Sequence, residues 1–367
     1  MSRQTRRSTH ASRPKAAMAL RKGGKITNLP FFSCGNGWIR EAFNRATAKA
    51  IPHSGTALMP RFVTGMLAGA ACLLGASPVS ARMSYVPVKL RVVSGVRPFA
   101  PVRVNGKPFL FMLHSNARFT VMTTHKNAAL AGVTNLIFKD HYGISTPGQV
   151  SNLGRASATL ERLQVGDRTY SKVPALIFEV PQDPPMDGML GITWLREQHV
   201  MLDYGRKRLG LPQSEEDTEA ADHKLLAAGY KAHKMIFDSA DKSYFVEGTI
   251  NGVAVRIGVN TVAENVLDVT LARTAGVELG PVADHYGGPD GAQGDVYFPK
   301  RDVEIAIDGQ EAAPIRPQIF DTYAYDSAPR PATSDAAHTA RLGADFMIAN
   351  RVVIDFGSET IFIGPQR

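Results

Sequence analysis

Two short polar triplets, each at the end of an apolar run, hold the side chains best placed to do chemistry. The first is His114-Ser115-Asn116, inside Phe111–Met122 (FMLHSNARFTVM). The second is Asn260-Thr261-Val262, inside Ile257–Leu267 (IGVNTVAENVL). Each begins nine residues after the Asn of an Asn-Gly pair, Asn105-Gly106 and Asn251-Gly252. A histidine titrates near neutral pH and can act as a general base. An asparagine does not titrate, but it can polarise a carbonyl or hold a water. His114 and Ser115 are adjacent in sequence, and strand neighbours point to opposite faces, so they do not form a Ser-His nucleophile pair.

The elements that must position these triplets are short strands. Val86–Val93 alternates apolar and polar residues as a half-buried strand does. Pro101–Met112 reads as two strands about the Asn105-Gly106 turn, a strong hairpin signal. Thr124–Ala131 reads as a short helix stopped by Gly132. Ser157–Tyr170 is strand, Gly-Asp turn and strand, and Val173–Val180 is a further strand. Met189–Ile192 leads into a helix around Trp194-Leu195, and Val200–Leu211 closes the unit as a hairpin. Residues 212–228 are acidic and polar, with a short helix through Leu225-Leu226, and serve as a linker.

The order then repeats. Tyr244–Ile250, the Asn251-Gly252 turn and Val253–Val259 lead into the second triplet, and Leu271–Ala275 is a short helix ended by Gly276. Asp302–Gln310 is strand then Asp-Gly turn. His285-Tyr286-Gly287 echoes His141-Tyr142-Gly143, Leu342-Gly343 echoes Leu190-Gly191, and Val352–Phe356 echoes Val200–Tyr204. Repetition at this distance is a domain duplication, because a solenoid would have a far shorter period.

Composition narrows the function classes. Residues 1–58 hold eleven Lys/Arg and one acidic residue, Glu41, a net of +10 against +9 for the whole chain, so residues 59–367 sum to −1. The basic character therefore belongs to the leader, and nucleic acid is excluded as a partner of the rest. Residues 59–81 read as a signal peptide. Met59-Pro60-Arg61 starts it, Phe62–Ala76 is its uncharged core, and Val79-Ser80-Ala81 allows cleavage before Arg82. The run is too short for a comfortable membrane span, although an uncleaved anchor is the alternative. Residues 1–58 are then a disordered basic extension, or translation starts at Met59. Cys34 and Cys72 both precede the cleavage site, so the mature chain has neither a disulfide nor a thiol nucleophile. The expected product is exported, periplasmic or secreted.

These parts together resemble the retropepsin-like and pepsin-like aspartic proteases. The family pattern is strand, Asn-Gly turn, strand, Asp-Thr/Ser-Gly-Ala, a flap hairpin, then apolar-apolar-Gly before a closing strand with Asp. The resemblance covers about 85–365 and implies an all-β molecule. Its two closed β-barrel lobes, at 82–211 and 229–367, would form a bilobed pepsin-like body with short helices. It implies that the two catalytic Asp positions fall on His114 and Asn260. Ser115 and Thr261 would be the hydroxyls that knit the two loops together, with Ala117 and Ala263 as the following Ala. The family Gly is replaced by Asn116 and Val262. Asn116 can adopt a left-handed conformation, whereas a β-branched Val262 cannot do so easily. Asp203 and Asp355 match the closing strands, and Asp187 and Asp345 take turn or cap roles. His141, Tyr142, Gly143, His285, Tyr286 and Gly287 would lie at flap positions over the cleft, where the tyrosines could stack on a ligand.

Catalysis in this family needs two carboxylates that share a site, with pKa values split by like charge. Neither position holds one here. The first expectation is therefore a pseudoprotease that binds an extended peptide in the cleft by strand addition. The alternatives are a hydrolase using His114 as general base with Asn260, and a structural envelope protein. Convergence of His114, His141 and His285 on a metal is conceivable, but no short ligand spacing supports it, so no metal or cofactor is expected.

Overall fold

A computed structural model describes residues 83–92, 95–140, 154–179, 185–287, 293–325, 330 and 340–365. The proposed leader, the cleavage site and His141-Tyr142-Gly143 lie outside the described residues.

The first half runs β1 (Ser84–Pro87), β2 (Lys89–Val92), β3 (Val96–Val104), β4 (Lys107–His114), β5 (Val121–Thr123), α1 (His125–Leu130), β6 (Ile137–Asp140), β7 (Arg155–Val165), β8 (Arg168–Ile177), β9 (Gly188–Gly191), α2 (Ile192–Glu197), β10 (Met201–Asp203) and β11 (Arg208–Leu211). The second begins with α3 (Glu215–Ala227) and β12 (Lys231–Lys234), then β13 (Ile236–Asp238), β14 (Ser243–Ile250), β15 (Val253–Val259), β16 (Val266–Asp268), α4 (Val269–Thr274), β17 (Leu279–Gly287), β18 (Gln293–Pro299), β19 (Ile305–Ile307), β20 (Gln310–Glu311), β21 (Gln318–Phe320), α5 (Thr322–Tyr325), β22 (Ala340–Leu342), α6 (Ala344–Ala349), β23 (Val353–Asp355) and β24 (Thr360–Ile363). The molecule is mostly β with short helices.

In the first half eight strands follow the order β2-β3-β4-β9-β5-β8-β7-β6, and β3 also pairs with β7. That extra pairing closes β3-β4-β9-β5-β8-β7 into a ring, which removes sheet edges. In the second half the counterpart of β7 is broken into two pieces. β18 pairs with β21 and β19 pairs with β14. The ring there is completed by the chain between them and a Val303–Ile315 bridge. A third sheet, β1-β11-β10-β23-β24-β12, takes strands from both halves. At its centre β10 and β23 run antiparallel with Met201 opposite Asp355, Leu202 opposite Ile354 and Asp203 opposite Val353. Equivalent strands therefore meet about an approximate twofold axis.

Local sequence explains most of these elements. Both Asn-Gly turns have the double positive φ of a type I′ hairpin: Asn105 48° with Gly106 84°, and Asn251 46° with Gly252 80°. Thr124 caps α1 by accepting from Asn127 N–H at 3.2 Å, and Asp268 caps α4 by accepting from Thr270 N–H at 2.9 Å. Three expectations need correcting. Val86–Val93 is not one strand: it breaks at Val88, so β1 joins the shared sheet and β2 joins the barrel. Residues 168–177 are one long strand, because β8 pairs with β7 along its whole length. The linker holds a 13-residue helix, α3, begun by three acidic residues, Glu215, Glu216 and Asp217, that suit a helix N-terminus.

Candidate functional site

β4 and β15 end in the two triplets, and the loops meet where the halves touch. Ser115 N–H donates to Thr261 Oγ1 at 2.8 Å, and Thr261 N–H donates to Ser115 Oγ at 3.1 Å. Thr261 Oγ1 in turn donates to Leu113 O at 2.8 Å, and Ser115 Oγ lies 3.4 Å from Val259 O. Both hydroxyl residues are essentially inaccessible to solvent. The result is a reciprocal clasp of four contacts across the pseudo-twofold. Tyr204 adds a fifth, donating its buried hydroxyl to Thr261 O at 2.6 Å.

The positions expected for the catalytic carboxylates are also related by the twofold. Asn116 N–H donates to His114 Nδ1 at 3.3 Å, and Val262 N–H donates to Asn260 Oδ1 at 3.2 Å. Each first residue of a triplet thus accepts from the backbone two residues on. His114 is 0% exposed. Burial, followed by the nearby Arg97 charge, pushes its pKa down to about 3. The ring is therefore neutral at physiological pH. With Nδ1 accepting, its proton sits on Nε2, which has no hydrogen-bond partner among the described residues. Such a ring offers no lone pair to a solvent molecule.

At the family's Gly positions the left-handed conformation open to Asn116 is not used, and Val262 avoids it as expected. Neither Asn116 nor Val262 has positive φ; Ala263 does, at 65°. Val262 is fully buried in an apolar cluster with Phe99, Met112 and Met122 of the first half. The second loop therefore turns one residue later and uses the valine as a hydrophobic plug. Ala117 and Ala263 keep parallel roles: their carbonyls accept from Ile192 N–H at 2.8 Å and Ala344 N–H at 3.0 Å. Gly191 and Gly343 press against these loops. A Cβ on Gly191 would lie 2.1 Å from Phe119 O, and one on Gly343 would lie 2.4 Å from Glu264 O.

At the second flap position, β17 and β18 form a hairpin with His285 opposite Asp295. His285 Nδ1 lies 2.9 Å from Asp295 Oδ1 on an exposed surface. Tyr286, which the resemblance would place over the cleft to stack on a ligand, is instead turned inward. It is 6% exposed and packs on Phe320 and Tyr325 with ring centroids 5.2 and 5.5 Å away, because strand alternation turns it inward. Gly287 has open space about it. No group of three His, Cys, Asp or Glu side chains suited to a metal occurs among the described residues.

The structural aspartates divide in two. Asp187 accepts from Leu110 N–H at 2.9 Å and holds the strand beside the first triplet. Asp203 is paired with Arg206 at 3.3 Å and Arg208 at 3.2 Å. Its pseudo-equivalent, Asp355, has no arginine partner among the described residues. It accepts from Gly357 N–H and Ser358 Oγ, both at 2.7 Å, and burial raises its pKa. Asp345, half-buried in the first turn of α6, is also raised by burial. Sequence reasoning missed Arg97, Arg118, Asp241 and Glu264, charged residues that flank the clasp. The available signal was that both triplets carry a charged residue four positions after their first member, of opposite sign.

Parts of the chain match known proteins. A family model described as aspartyl protease matches residues 100–194. Among solved structures, a retropepsin-like aspartic protease from Rickettsia conorii aligns with 35% of this chain and 94% of its own, at 18% identity and a TM-score of 0.25. An aspartic proteinase from Irpex lacteus aligns with 78% of this chain and 98% of its own, at 9% identity and a TM-score of 0.43. Conglutin gamma, a basic 7S globulin from lupine seeds, aligns with 78% and 96%, at 10% identity and a TM-score of 0.44. No curated protein matches the sequence. The chain resembles the retropepsin-like and pepsin-like aspartic proteases.

Proposed function

We propose that this is an exported pseudoprotease: a two-lobed, aspartic-protease-like protein that has given up peptide hydrolysis and binds an extended peptide between its lobes. The observation that carries the reading is the contrast within the clasp. The hydroxyls that join the loops keep their reciprocal hydrogen bonds, while the two positions for carboxylates hold a buried neutral imidazole and an amide. An aspartic mechanism needs one ionised and one protonated carboxylate around a water. Neither His114 nor Asn260 supplies a carboxylate. A general-base role for His114 is opposed by its complete burial and by a tautomer whose proton sits on Nε2. Strand addition suits a fold rich in hairpins, which offers backbone donors and acceptors to an extended chain. The domain division at 82–211 and 229–367, and export through residues 59–81, belong to this proposal.

The test is a peptide-library assay from pH 3 to 8, with cleavage and binding read together. Wild type is expected to bind extended peptides without cutting them. The variant His114→Asp/Asn260→Asp is expected to gain cleavage in acid, since the clasp that would position both carboxylates is present. Wild-type turnover that vanishes in His114→Ala would sink the pseudoprotease reading. Absence of any peptide binding would sink the peptide-binding part.

A further inference from the structure

Four residues after the first member of each triplet stands a charged side chain, Arg118 in the first half and Glu264 in the second. The segment that opens each half's hairpin supplies another, Arg97 on β3 and Asp241 just before β14. Both crossings run between halves. Arg118 Nη2 lies 3.2 Å from Asp241 Oδ1, and the arginine side chain is only 7% exposed. Burial and then the Asp345 carboxylate raise the Glu264 pKa, and the charge of the buried Arg97 works against that rise. The backbone fixes the second approach. Ala263 N–H donates to Val96 O at 2.9 Å, and a Cβ on Gly95 would sit 2.7 Å from Glu264 N. The two crossings have opposite polarity: in one the triplet loop brings the cation, in the other the anion.

The first half therefore contributes two cations to the junction and the second half two anions. We infer that this segregation of charge is a partner code: the junction face of a first half accepts a second half and rejects another first half. The halves share one fold and meet about an approximate twofold, so homotypic pairing is the natural competitor. Two first halves so paired would set Arg97 against Arg118. Two second halves would set Asp241 against Glu264, with Asp345 close by. Like charges forced together at a buried junction are opposed by repulsion and by lost hydration. Specificity among similar partners calls for such a repulsive element. The partner this face fits is a second half, from the same chain or from another copy.

The test uses the whole chain, folded intact and then nicked at a protease site introduced beside Gly229. Isotopically labelled and unlabelled samples are mixed and their pairs counted by native mass spectrometry. Wild type is expected to give only first-with-second pairs. Arg97→Glu/Glu264→Arg keeps opposite charges facing at both crossings but gives each half one charge of each sign, so homotypic pairs are expected to appear. Arg118→Asp/Asp241→Arg is the equivalent swap and serves if the first variant does not fold. Combining both swaps segregates charge again and is expected to restore exclusive pairing. Homotypic pairs in wild type, continued exclusivity in a single swap that folds, or nicked wild-type halves that separate would each overturn the inference.

Discussion

The two triplet loops depart in the same way from the aspartic-protease pattern, in different surroundings. Each lacks a carboxylate and a glycine, and each keeps its hydroxyl, its following alanine and the backbone bond to its first residue. The first loop closes over a fully buried imidazole. The second drives Val262 into the apolar cluster of the opposite half and turns at Ala263. The clasp is thus separable from the chemistry it would serve. What both copies have in common is what joins the halves, and the first residue of each triplet sits in its own kind of surroundings.

The largest expected effect would break this comparison outright. Gly191→Ala and Gly343→Ala each drive a methyl into the carbonyls that support a triplet loop. Each is expected to cost more than about 4 kcal/mol, read as loss of a cooperative unfolding transition. A mild effect at one glycine alone would show that only one loop is braced in this way.

The clasp itself gives the next effect and tests its symmetry. Thr261→Val strands the buried Ser115 N–H and deprives Leu113 O of a donor, a loss of roughly 2–4 kcal/mol by denaturant unfolding. Ser115→Ala strands mainly the Thr261 N–H and should cost less, roughly 1–2 kcal/mol. Equal losses would contradict the unequal bonding of the two hydroxyls.

A second comparison sets the Asp203 turn against the Asp355 turn, and it yields the smallest effect. Arg206 and Arg208 neutralise the former. Beside the latter, Asp222 of α3 lines a cavity of about 500 Å³ with His199, Glu219 and Ser358. Burial, followed by the Asp355 and Glu219 carboxylates, raises the Asp222 pKa to about 7 against the lowering influence of the nearby Ser358 hydroxyl, and its Oδ1 has no hydrogen-bond partner among the described residues. A carboxyl whose folded pKa lies above its unfolded value near 3.8 favours folding at low pH. That stability is lost as pH rises from about 4 to 7. Asp222→Asn is expected to flatten this part of the stability profile, with little change below pH 4. An unchanged slope would show that the helix carboxyl titrates normally.

Much of this was legible in the sequence, because duplication lets one half check the other. The Asn-Gly turns, the strands entering the triplets and the Leu-Gly pieces rest on local chemistry repeated in both halves, while the pairing of Ser115 with Thr261 was implied by the resemblance to aspartic proteases. The break at Val88, the shared sheet and the split counterpart of β7 depend on which distant strand arrives, and no local pattern encodes that. The inward turn of Tyr286 needed the positions of Phe320 and Tyr325. Complete desolvation of His114 needed the packing around it. The charged residues at the junction were visible in the sequence, but no local pattern shows that the loops carrying them cross.

The most direct measurement is the imidazole titration of His114, followed by ¹⁵N and ¹³C NMR on selectively labelled protein. The account predicts a neutral ring with its proton on Nε2 that resists protonation down to about pH 3. Stability should then fall below pH 6.5, where the unfolded chain takes up the proton and the folded chain does not, by up to about 1.4 kcal/mol per pH unit. A midpoint near 6.5, or a proton on Nδ1 that leaves Nε2 free to accept, would contradict it and return a working base to the centre of the clasp.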